Sequence, residues 1–162
     1  MCSSDLYQAG NYATSDSIFC GLYQSKYPNQ IFGYLWCARS KQAMDDSSNS
    51  KGLAVEAYKI LAEKARQFDP VKFKSQAISS YFYLVQYYND VAKNKEVAIS
   101  YCDSVLRVDS TNADAIRVKT ILTAPPPKQP ASKKPAAPSG NKPVALQFYR
   151  EKQWLKPEND LA

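Results

Sequence analysis

Between Ser80 and Asn112 apolar side chains recur at helical spacing twice, separated by one polar break, and this stretch limits the possible folds more than any other. Tyr81, Leu84, Val85 and Tyr88 lie three and four residues apart, which stacks them on one helix face. After the polar run from Asn89-Asp90 to Asn94-Lys95, the same period restarts with Val97, Ala98, Tyr101, Val105 and Val108. Asp109-Ser110-Thr111-Asn112 closes the segment with hydroxyl and amide side chains suited to capping a following helix. Two such helices can cover each other's stripes only in part. A helix pair of about 34 residues that needs neighbours to bury its apolar face is the unit of a solenoid.

Composition agrees with an all-α class. Apolar residues make up 44 % of the 162, with twelve Tyr and only five Gly, which favours helices over short strands joined by Gly-rich turns. No apolar run approaches the length needed to cross a bilayer. The first residues, Met-Cys-Ser-Ser-Asp, have neither a basic nor an apolar leader segment. The net charge of +6 is uneven: residues 124–162 carry seven basic and three acidic side chains, net +4, leaving +2 for the rest. The high pI therefore belongs mainly to the tail, and no nucleic-acid partner is expected for the folded part.

Further helices are expected at residues 4–9, Tyr12 to about Lys26, Ile31 to about Met44, Leu53–Phe68, about 71–92, 95–108 and about 113–122. In the second of these, Ile18, Phe19, Leu22 and Tyr23 are expected to face inward, and Pro28 stops it. Ala54, Tyr58, Leu61, Ala65 and Phe68 form the seam of the fourth. Ser50 is expected to cap the helix after it, and Pro70 to sit in the first turn of the helix that follows Asp69. At Ala124 the composition changes to a Pro/Ala/Lys-rich run that offers no apolar side chain larger than Ala or Pro to bury. The expected organisation is a helical domain at 1–123, a flexible linker at 124–143, and a short tail at 144–162 able to form a transient helix.

The three helix pairs, ending at Tyr27-Pro28, Asp69-Pro70 and Asp109-Ser110, resemble the tetratricopeptide repeat. In the last pair Tyr81, Leu84 and Tyr88 match that family's aromatic, aliphatic and aromatic positions, with Val85 where a small residue is usual. Ala98, Cys102, Val105 and Ser110 fall at its small, aromatic, alanine and proline positions after one inserted turn residue. The middle pair matches at Tyr34, Ala38, Ala65 and Pro70 but is overlong around Asp45–Gly52. The first is partial, marked by Gly10-Asn11-Tyr12 and Pro28. In the middle pair the wording IFGYLWCARS, followed by the acidic loop, is similar to repeats of bacterial envelope-associated members. The resemblance covers about residues 5–122. It implies an antiparallel helix-pair solenoid of about 2.5–3 repeats plus a capping helix. The compartment would be the envelope or periplasm if the parent chain has a leader, and the cytoplasm otherwise.

The resemblance also implies a function: a scaffold holding a peptide or helical segment of a protein partner in a concave groove. Carried over by position, the groove residues are Phe32, Leu35, Arg39 and Gln42, then Ser79, Phe82, Gln86 and Asn89. The competing reading makes Phe32, Leu35 and Phe82 core or neighbour contacts. On the groove reading, Arg39→Glu or Phe82→Ala weakens capture without unfolding. The alternative function is an assembly subunit packing against further repeats, or self-associating where Leu6 and Tyr7 lack a helix partner. The tail is read as a linker, with docking on a partner or folding back into the groove as the other options.

Catalysis finds no support. The chain has no histidine, which removes the Ser–His and Cys–His arrangements, and it has neither phosphate-cradling glycine motif. Asp45-Asp46 reads as a solvated turn. No cofactor or metal is expected, because Cys2, Cys20, Cys37 and Cys102 are widely spaced and could bind zinc only as four thiolates together. Cys20, Cys37 and Cys102 are expected as small buried hydrophobes, with a Cys20–Cys37 bridge available in an oxidising compartment.

Overall fold

A computed structural model describes residues 3–124, and the described residues are helical with no strand among them. Helix α1 is Ser3–Gln8. Helix α2 is one rod with an α-helical start at Tyr12–Asp16, a π-helical segment at Ser17–Tyr23 and a last α-turn at Gln24–Lys26. Then follow α3 (Ile31–Met44), α4 (Val55–Phe68), α5 (Lys74–Asp90), α6 (Lys95–Val108) and α7 (Ala113–Thr123). Each helix packs mainly on the next one along the chain, and one apolar seam runs from α2 to α7. The expected linker and tail beyond Ala124 lie outside the described residues.

The seam is built as the periodicity predicts. Ala54 at the cap of α4 and Tyr58, Leu61 and Ala65 within it are buried, as are Tyr81, Leu84 and Val85 along α5. Tyr58 stacks on Tyr83 at 4.2 Å between ring centroids, joining α4 to α5. Tyr101 of α6 lies 5.6 Å from Tyr88 and 6.2 Å from Tyr81. Ala115, Val118 and Leu122 of α7 close the far end.

Helices α2 and α3 approach closely because small residues face each other. The buried Ser15 and Ser40 hydroxyls share a 2.7 Å hydrogen bond. Gly33 leaves room for the Tyr23 ring, since a Cβ there would fall 2.7 Å from Tyr23 Cδ1. Gly52 plays a comparable part in the long α3–α4 loop: its φ is +66°, and an added Cβ would meet the Tyr87 hydroxyl at 2.6 Å.

Four local expectations are corrected. Leu22 does not face inward but is 71 % exposed. The π-helical segment takes extra residues per turn, so the face kept by Phe19 swings away before Leu22 is reached. Pro70 does not begin α5. The Asp69 carboxylate accepts from the Val71 and Lys72 N–H groups at 3.0 and 2.9 Å, holding a separate turn, and the helix starts at Lys74. Ser50 caps nothing; its hydroxyl donates to Asp46. Cys20 and Cys37 are joined as a disulfide between α2 and α3, and only Cys102 is a buried free thiol among the described residues.

The capping expectation at Asn112 holds. Its side-chain oxygen accepts from the Ala115 N–H at 2.9 Å, and Asn94 caps α6 in the same way through Val97. Both aspartates of the Asp45-Asp46 pair are engaged by their own loop. Asp45 accepts from the Asp46, Lys51 and Leu53 N–H groups, and Asp46 from those of Ser48 and Ser50. The Ser50 hydrogen bonds hold the Asp46 carboxyl below its ordinary range.

Candidate partner-binding face

On α3 the residues at helical spacing Phe32, Leu35, Arg39 and Gln42 divide by depth. Leu35 is 5 % exposed and belongs to the core. Phe32 is half-buried in an aromatic cluster, 5.7 Å from Phe19 and Tyr23 and 5.9 Å from Trp36. One turn further on, the Arg39 guanidinium lies 5.2 Å over the Trp36 ring. That ring is met from below by Phe19 at 5.9 Å and from the N-terminal side by Tyr7 at 5.2 Å. A guanidinium resting on an aromatic face keeps its charge near solvent while its plane is oriented.

Gln42 is held as well. Its side-chain carbonyl accepts a 2.6 Å hydrogen bond from the buried Tyr58 hydroxyl. That bond fixes which way the amide points, with its NH2 group, carrying two donors, on the opposite side. Arg39 and Gln42 are one helical turn apart and both are partly exposed, so they form a short polar edge seated on the half-buried Trp36 and the buried Tyr58. Beneath them burial pushes the Tyr58 phenol well above its ordinary value, and the Arg39 charge works against that shift. Burial also raises Tyr7, opposed in the same way by Arg39.

On α5 the other four residues divide similarly. Phe82 is 4 % exposed and lies in the core, so replacing it would disturb stability as well as any surface function. The Ser79 hydroxyl donates back to the Ser75 carbonyl at 2.9 Å, within its own helix. Gln86 and Asn89 are half-buried, and the Asn89 amide donates to Asp90 at 2.7 Å. The more exposed members of the set are thus polar, with Arg39 on α3 the cation among them, while Leu35 and Phe82 are drawn into the interior and Phe32 is half-buried.

Position alone did not point to Trp36 and Tyr58, yet they set the posture of Arg39 and Gln42. The Arg39–Trp36 pairing was legible in principle, as Trp36 lies three residues before it on the helix. Tyr58 comes from another helix and carried no such local signal. The N-terminal expectation is also corrected: Tyr7 does have partners, its ring lying 5.1 Å from Tyr12 as well as against Trp36.

Comparison with known protein families, with curated proteins and with solved structures found no match for this chain.

Proposed function

We propose that the chain is a tetratricopeptide-like stack of helix pairs that holds an extended segment of a protein partner, and that it works by binding rather than catalysis. The observation that carries this reading is the pinned polar edge on α3: Arg39 laid on Trp36 and Gln42 fixed by Tyr58. Side chains oriented before a ligand arrives lose less entropy on binding. An arginine beside amides suits a peptide main chain and an acidic side chain. Gln86 and Asn89 on α5 would extend the same surface, as the tetratricopeptide resemblance implies. Serial packing of each helix on the next supports the stack reading, because a solenoid makes its contacts in that order.

The test uses the full chain and a displayed library of random linear peptides. Selected peptides should carry an acidic residue and should lose about thirtyfold in affinity to Arg39→Glu, the effect of removing an interface anchor worth about 2 kcal/mol. Gln42→Ala should weaken them less. Helix content should be unchanged in both variants. Peptides that bind Arg39→Glu as tightly as the natural chain would sink the proposal.

A further inference from the structure

We infer that Asp16, Cys20 and Cys37 form a redox-gated site for a zinc-class divalent cation, closed while the disulfide stands and opened by its reduction. One carboxylate oxygen and the two sulfurs lie within 4.8 Å of one another. Asp16 and Cys20 share a face of α2 one turn apart, and Cys37 faces them from α3. Asp16 and Cys20 are partly exposed whereas Cys37 is 5 % exposed, so a cation would enter from the Asp16 side.

Two further contacts support a ligand set. Asp16 Oδ1 lies 2.8 Å from Cys20 Sγ, so the carboxylate already stands against the sulfur that reduction would free. Lys41 Nζ, one turn beyond Cys37 on α3, lies 3.1 Å from Asp16 Oδ1. Two thiolates and a carboxylate around a divalent cation leave one negative charge in excess, and the Lys41 ammonium is placed to neutralise it. Thiolates with one carboxylate suit Zn2+; the hard oxygen ligand disfavours Cu(I).

The chemistry balances with a dithiol reductant. Its two sulfurs become a disulfide while the Cys20–Cys37 bond takes up the two electrons and two protons and becomes two thiols. Cation binding then releases both thiol protons to water and forms two metal–sulfur bonds and one metal–oxygen bond. Water would fill the remaining coordination position.

The probe is Co2+ added to the full chain, oxidised or reduced with a water-soluble phosphine, which passes the oxygen of water to phosphorus and adds no sulfur ligand. The reduced chain should bind one Co2+ with thiolate-to-cobalt charge-transfer absorption and the strong visible bands of a four-coordinate site, and Zn2+ should displace it. The oxidised chain should show neither. Asp16→Asn, which keeps both cysteines, should weaken binding about tenfold or more, and Lys41→Ala about tenfold. Cys2→Ser and Cys102→Ala should keep the signal. If reduction lowers the helix content, Co2+ should restore it, and Asp16→Asn should need about tenfold more Co2+ for the same recovery. The inference is overturned by absence of the charge-transfer band on reduction, by equal binding to the oxidised chain, by an undiminished signal in Asp16→Asn, by a signal that follows Cys2 or Cys102, or by failure of Co2+ to restore lost helix.

Discussion

Tyr58→Ala should lower the unfolding free energy by about 3–5 kcal/mol, the range for removing a fully buried aromatic side chain. Small domains are stable by only about 5–15 kcal/mol, so this variant should unfold at much lower urea than the natural chain. The reason lies in its place: Tyr58 is 1 % exposed, stacks on Tyr83 from α5 and donates to Gln42 on α3, so one side chain ties three consecutive helices together. Tyr58→Phe removes only the hydroxyl. Gln42 is partly exposed and can turn its oxygen to water, so that change should cost about 1 kcal/mol. A urea series in which Phe costs as much as Ala would mean that the hydrogen bond, not ring packing, holds the seam.

The same burial sets the alkaline limit of the fold. Burial raises the Tyr58 and Tyr83 phenols well above their ordinary value of 10.0, and pushes the Cys102 thiol up to about 11, aided by Asp103. An unfolded chain would ionise these groups at their ordinary values while the folded chain must keep them protonated. Their contribution is therefore complete below about pH 9 and is lost as pH rises through the raised values. Each such phenol costs about 1.4 kcal/mol per pH unit above 10. Urea midpoints should fall steeply above pH 10, and less steeply in Tyr83→Phe.

Removing the disulfide is the second large change. The Cys20–Cys37 bridge closes a separation of 17 residues. For a loop near that length, cross-linking the unfolded chain is worth about 3 kcal/mol. Replacing both cysteines with serine should lower stability by about that amount, and reducing the natural chain should do the same. Cys102, buried between helices and unbridged, should not contribute to the difference between oxidised and reduced protein. Equal urea midpoints for the oxidised and reduced chains would remove the bridge from the account of stability.

How far the sequence reveals this molecule depends on whether the deciding interaction is local. Ile31–Met44 and Lys95–Val108 match the expected helices because period, turn residues and polar breaks agree. The seam of α4 was legible for the same reason. Leu22 was not, because a π-helical segment shifts the phase that a constant period assumes. Ser50 and Pro70 failed where a nearby aspartate competed for the backbone or hydroxyl. In the candidate face the polar members Arg39, Gln42, Gln86 and Asn89 keep partial exposure. Leu35 and Phe82 lie in the core, because a positional match says which way a residue points but not what stands in front of it. The Asp16–Lys41 pair beside the disulfide had a faint local trace: Asp16 precedes Cys20, and Cys37 precedes Lys41, by four residues each. Only the packing of α2 on α3 brings the two pairs together.

The proposed seat of a partner's peptide is the polar edge of α3, continued on α5. Backbone amide shifts of the full chain, recorded as a library-selected peptide is titrated in, test this most directly. The largest changes are expected around Arg39 and Gln42, with a second set around Gln86 and Asn89, together with a moved side-chain amide signal for Gln42. Changes confined to residues 125–162, or to the ends at α1 and α7 with α3 and α5 unmoved, would contradict it.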